Sequence, residues 1–259
     1  MLPNFYVIGS SRSGTTTLRH HLRAHPDVYL PPVNEPRYFA FAMDPMNYAG
    51  PGDEILRDRV VTDMNAYQAL FQDAGTETAI GEVSPAYLSS ETAAARIAAA
   101  TPDAKILAVL RHPAERALSS YRRERMDDLE PAPCLGAALH RENERQRTGW
   151  SYVWRYRYRG LYHTHLARYF ARFPRHQIKV LTYDRWAGDQ GRNLLREVFH
   201  FIGVDPAKYL PDRALHLNAT TTPKEGDACQ HTLAELHNFY RPQIELLQDL
   251  ADVDLTGWL

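Results

Sequence analysis

Apolar residues in this chain gather in short unbroken runs more than in strict alternation. "FYVI" (Phe5 to Ile8), "KILAVL" (Lys105 to Leu110) and "QIKVLTY" (Gln177 to Tyr183) stand out, with "TAIGEVS" (Thr78 to Ser84) a weaker fourth. Runs of this kind predict strands covered on both faces of a parallel sheet. Between them the apolar positions take helical spacing. "TTTLRHHLRAH" follows the first run. "SSETAAARIAAATP" opens with Ser and Glu, as an N-terminal cap would. "PAERALSSYRRERMDD" puts Pro113 in a first turn, where its missing N–H costs little. "YRGLYHTHLARYFARFP", "GRNLLREVFHFIG" and "TLAELHNFYRPQIELLQDLA" complete the helical set. Strands alternating with helices predict an α/β fold in three layers, α/β/α, around a central parallel sheet. "AMDPMNYAGPGD", "DDLEPAPCLG" and the long stretch from Gly203 to Gln230 read as loops, the last a candidate lid. No stretch reads as a linker, so one domain over residues 1–259 is expected.

Composition changes this picture little. Hydrophobic residues make up 44% and the formal net charge is −1, which excludes a globally basic nucleic-acid binder. Cys134 and Cys229 are too few for a disulfide framework or a cluster of paired zinc ligands; two free thiols or one bridge are open. The first residues show no basic, apolar leader, and no window reaches transmembrane length. The expectation is a cytoplasmic protein.

Chemistry enters with "GSSRSGTTT" (Gly9 to Thr17), directly after the first strand. It has the outline of a phosphate-binding loop, so the fold is expected to be P-loop nucleoside triphosphate hydrolase-like. A glycine-bracketed turn between a buried strand and a helix aims backbone N–H groups at one anion, and the helix dipole adds to it. Thr15, Thr16 and Thr17 add hydroxyls, Arg12 adds a two-pronged cation, and Gly14 allows close backbone approach. The lysine of a nucleoside-triphosphate loop is Thr15 here, and "KILAVL" ends in Arg111 instead of an acid that would hold magnesium. Kinase chemistry thereby loses two of its parts. A cation at that strand end suggests a second anionic group on the ligand. Ser119, eight residues on, lies about two helical turns into the next helix.

"GSSRSGTTTL", "NEPRYF", "GEVSPAYLSSETAAARI" and "ILAVLRHPAERALSSY", followed by "RGLYHTHLARYFARFPRHQIKVLTYDRW" and "LHNFYRPQIELL", together resemble the 3′-phosphoadenosine 5′-phosphosulfate (PAPS)-dependent sulfotransferases. The series is most similar to the heparan sulfate glucosaminyl sulfotransferases, while R-S-G-T-T is similar to the tyrosylprotein branch. The resemblance implies that Arg12, Ser13, Gly14, Thr15, Thr16 and Thr17 hold the 5′-phosphosulfate. It implies that Arg111 and Ser119 hold the 3′-phosphate, with Lys224 in "TTPKEGDA" a further candidate. It assigns Glu35 as general base, with Arg37 fixing that carboxylate or assisting the sulfuryl group. No metal is required, and the product is 3′-phosphoadenosine 5′-phosphate (PAP). The acceptor would be a small molecule, lipid or carbohydrate, not nucleic acid. The chain departs from the heparan enzymes at Asn34 and Val83, where they carry lysines. Glu82 remains in the second of these motifs, open to a structural or a catalytic reading. His20 and His21 are expected to point one inward and one outward. The arginines of "SYRRER" and "WRYRYRG" fit either a solvated, ring-stacked face or an acceptor surface. The rival readings are a small-molecule kinase with a degenerate loop and a non-catalytic nucleotide-binding protein.

Overall fold

A computed structural model describes residues 1–44, 46–187, 190–211 and 230–259. In chain order the elements begin β1 (Phe5–Gly9), α1 (Thr15–Ala24), β2 (Val28–Tyr29), α2 (Tyr38–Phe41), α3 (Asp53–Arg59) and α4 (Met64–Ala69). They continue β3 (Ala79–Val83), α5 (Ala93–Ala100), β4 (Lys105–Leu110), α6 (Pro113–Met126), α7 (Leu135–His140) and α8 (Glu142–Arg147). Last come α9 (Tyr162–Phe170), β5 (Ile178–Thr182), α10 (Tyr183–Ala187), α11 (Gly191–Ile202) and α12 (Gln230–Ala251). The chain divides into two compact units, each assembled from separate chain segments.

The first unit takes Met1–Asp44, Val60–Arg111 and Leu166–Ala219. Among the described residues its five strands form one sheet in the order β2-β3-β1-β4-β5, every neighbour parallel. The four expected strands are all present; β2, two residues long, carried too little pattern to be seen in advance. Connections from β1 run to one side of the sheet, and β4 and β5 lie on the other. The carboxyl ends of β1 and β4 therefore flank a topological switch point, where open α/β sheets bind ligands.

The sheet's two faces differ chemically. Phe5, Val7, Val83, Leu107, Val109 and Leu181 pack with Leu18 and Leu22 of α1 and with the buried side of α11 into an apolar core. Tyr6 and Glu82, paired in register across β1 and β3, belong to an aromatic cluster with Phe39, Tyr67 and Tyr87. Gly81 is required by this packing, because a Cβ there would meet the Phe5 ring at 2.0 Å. The α5 helix starts at Ala93, and Ser90 supplies the cap-like oxygen, accepting from the N–H groups of Thr92 and Ala93.

The second unit takes Pro45–Arg59, His112–His165 and Thr220–Leu259. Buried carboxylates organise it. Asp53 accepts from the backbone N–H groups of Gly50 and Ser151, the Ser151 hydroxyl and the Trp154 indole. Glu130 takes both prongs of Arg145 and the Tyr156 hydroxyl. Pro113 sits in the first turn of α6 as expected. No helix among the described residues is long and apolar enough to cross a membrane.

Candidate active site

The loop after β1 is anchored to β4: the Ser10 N–H donates to the Val109 carbonyl at 2.6 Å, and the Ser10 and Ser13 hydroxyls pair at 2.6 Å. Ser13 thus spends its side chain inside the loop. Gly14 is the N-cap of α1 in the left-handed region, φ 84°. It has no side chain with which to cap, and no acid stands in the first turn. The start of α1 accordingly offers backbone N–H groups and a positive helix end to an anion. Thr15 and Thr17 are buried at this end, whereas Thr16 faces outward. Arg12, φ 68°, is also left-handed. Non-glycine residues held there are uncommon and cluster at functional sites.

Glu35 and Arg37 lie in the turn before α2, with φ 53° and 58°. Arg37 grips Oε2 of Glu35 through Nη2 at 2.5 Å and Nε at 3.1 Å. Oε1 of Glu35 takes no hydrogen bond among the described residues. Two arrangements hold the turn. Arg19 of α1 donates to the carbonyls of Pro31 and Pro32, at 2.8 and 3.2 Å. Burial lowers its guanidinium pKa, as does the charge of Arg23, and the Glu35 charge opposes them. On the other side, the Arg37 N–H donates to Ser84 Oγ at 3.0 Å and the Phe39 N–H to the Tyr87 hydroxyl at 3.2 Å.

Those two hydroxyls in turn donate to Glu82, Ser84 at 2.5 Å and Tyr87 at 2.7 Å, and the Tyr67 hydroxyl donates to its other oxygen. Glu82 is fully buried. Burial pushes its pKa above the ordinary carboxylate value, against the hydrogen bonds from Ser84, Tyr67, Tyr87 and the Arg37 backbone. Both Tyr67 and Tyr87 are pushed well up by burial and by the Glu82 charge. Glu82 is thus the centre of a buried hydrogen-bond network that braces the Glu35–Arg37 turn.

Arg111 directly follows β4 and lies over the Tyr183 ring at 5.2 Å. Ser119 is buried on α6 in the second unit. Lys224, Cys229 and most of the candidate lid lie outside the described residues. Cys134 is a free thiol. His21 is buried with Nδ1 3.1 Å from the Tyr209 hydroxyl, and His20 is exposed, one inward and one outward as expected. The WRYRYRG arginines stack on rings: Arg155 on Tyr158 at 3.5 Å, Arg157 on Phe239 at 5.2 Å and Arg159 on Tyr152 at 5.3 Å. Arg159 is buried, so that stretch is only partly a solvated face.

The model of the sulfotransferase family matches residues 3–208. The chain belongs to the sulfotransferase family. Among curated sulfotransferases it is similar to heparan sulfate glucosamine 3-O-sulfotransferase 3B1 of Mus musculus, 27% identical over 97% of this chain and 60% of the relative. The chain thus spans about 60% of that relative's length. A sulfotransferase from Alicyclobacillus acidocaldarius is similar in structure, with TM-score 0.89 and 34% identity over 100% of this chain and 99% of the other. The sulfotransferase domain from the curacin biosynthetic pathway shares the fold, with TM-score 0.55 and 17% identity over 85% of this chain and 81% of that domain. Arg19, Tyr67, Ser84 and Tyr87, which hold the Glu35–Arg37 turn or the Glu82 network beside it, and Tyr183, which lies under Arg111, are residues that the motifs did not single out. A serine or tyrosine near a motif has no pattern of its own, so only their contacts reveal them.

Proposed function

We propose that this chain transfers a sulfuryl group from 3′-phosphoadenosine 5′-phosphosulfate to a hydroxyl or amine of a small-molecule, lipid or carbohydrate acceptor. The observation that carries this reading is the start of α1: a glycine-capped anion cradle at the sheet's switch point, with Arg12 in the loop and neither a loop lysine nor an acid at the end of β4. These residues suit an anion bound through backbone N–H groups and a guanidinium. Arg111 is a suitable cation for the 3′-phosphate.

In this reading Oε1 of Glu35 takes the acceptor's proton as its oxygen or nitrogen attacks sulfur in line with the leaving phosphate. The new bond to sulfur forms as the sulfur–oxygen bond to the phosphate breaks. Arg12 and the N–H groups of α1 stabilise the negative charge that grows on the leaving oxygen. Arg37 holds the carboxylate in place. The name of the mouse relative points to a carbohydrate hydroxyl; Asn34 and Val83, uncharged where the heparan enzymes have lysines, count against a highly sulfated glycan.

Thermal unfolding with PAP or with ATP and magnesium tests the donor. A ligand of the native state raises the midpoint by mass action. Stabilisation by PAP and not by ATP is expected; the reverse supports the kinase reading. Glu35→Ala is expected to retain PAP binding and lose turnover of PAPS, and unchanged turnover would remove Glu35 from the mechanism.

A further inference from the structure

The short helix α10 follows β5 without a break, and Tyr183 and Trp186, three residues apart, stand on one side of it. Both rings rest against the loop glycine. A Cβ on Gly14 would lie 3.0 Å from Trp186 Cδ1, 3.2 Å from Trp186 Nε1 and 3.3 Å from Tyr183 Cδ2. The edge of the indole that carries its N–H is therefore the edge turned toward the cap of α1. The other ring, Tyr183, lies under Arg111. One helical turn thus touches both the loop and the strand-end cation.

Trp186 is 1% exposed, and its Nε1 has no hydrogen-bond partner among the described residues. Buried indole N–H groups ordinarily find an acceptor. Trp154 in the same chain does so, donating to Asp53 at 3.1 Å. The nearest ring to Trp186 on α1 is His21, edge-on at 6.0 Å, and its Nδ1 is engaged with Tyr209. A buried, unpartnered donor therefore stands beside the glycine that caps α1.

We infer that Trp186 is a nucleotide-binding residue whose indole N–H donates to an oxygen of the anion held at the start of α1. The inference rests on the proposed sulfotransferase reading and adds a donor to it. It also gives Gly14 a second reason to be glycine, since any side chain there would push the indole away.

The test is a titration of the whole chain with PAP, followed by ¹⁵N NMR of the indole groups. The Trp186 resonance is assigned through its contacts with Tyr183 and His21 protons, so the assignment does not depend on a variant folding. Expected is a saturable shift of the Trp186 N–H signal that tracks PAP binding measured by calorimetry. Trp186→Phe, which keeps a ring and removes the donor, is expected to weaken PAP about tenfold, with the nucleotide-free unfolding midpoint little changed. Saturable PAP binding with the Trp186 signal unmoved, or native affinity in Trp186→Phe, overturns the inference and leaves the donor assignment standing. No PAP binding by the native chain overturns both.

Discussion

Replacing Glu82 by leucine removes the acceptor at the centre of the aromatic face while keeping similar bulk. Three hydroxyls lose their charged partner: Ser84, Tyr87 and Tyr67. Hydrogen bonds to a charged group contribute about 1.5 kcal/mol each at the low end, or roughly 4–5 kcal/mol together. Leucine also no longer buries a carboxylate, which offsets part of this and leaves a net loss of about 3 kcal/mol. For a chain of this size that lowers the unfolding midpoint by roughly 6–12 °C. The pH dependence has a definite sign. Burial raises the Glu82 pKa in the folded state, so the unfolded chain releases this proton first as pH rises. From the ordinary carboxylate range up to the raised value the unfolded state binds fewer protons, and native stability falls. Leucine has no such proton, so the gap between native and variant narrows with rising pH. Urea unfolding of both proteins from pH 4 to 7 measures it. A gap below about 1 kcal/mol at pH 4, or one that widens with pH, would refute the network as described.

Gly14→Ala places a Cβ 3.0 Å from Trp186 at φ 84°; a cost of about 1–3 kcal/mol and loss of the PAP-induced rise in unfolding midpoint are expected, read by calorimetry. In the second unit, Asp53→Ala strands donors from Gly50, Ser151 and Trp154. About 3–5 kcal/mol of destabilisation is expected by urea unfolding, and a loss under about 1 kcal/mol would show these bonds to be replaceable.

Legibility differed by element. "KILAVL" coincides with β4 residue for residue, because a strand buried on both faces is a continuous apolar run whatever surrounds it. Pro113 and Gly203 marked a helix start and a helix end, since their backbone preferences are local. The small helices α2, α3 and α4 were missed. Each is seven residues or fewer and is held by its surroundings more than by its own periodicity. Among the candidate site residues, the loop and Arg111 were nominated by their position relative to strand ends. The bond from Arg37 to Ser84 joins residues 47 apart, and no local pattern encodes a contact at that distance.

The sequence by itself determined the alternation of strand and helix and the glycine-bracketed loop, because these follow from nearest-neighbour chemistry, apolar runs and backbone freedom; the candidate base Glu35 was named by the family resemblance. Only the tertiary structure decided the strand order, the bracing of the Glu35–Arg37 turn by Glu82 and the approach of the Trp186 indole to Gly14. Those depend on which distant segments the sheet register brings side by side, and register is a property of the packed whole.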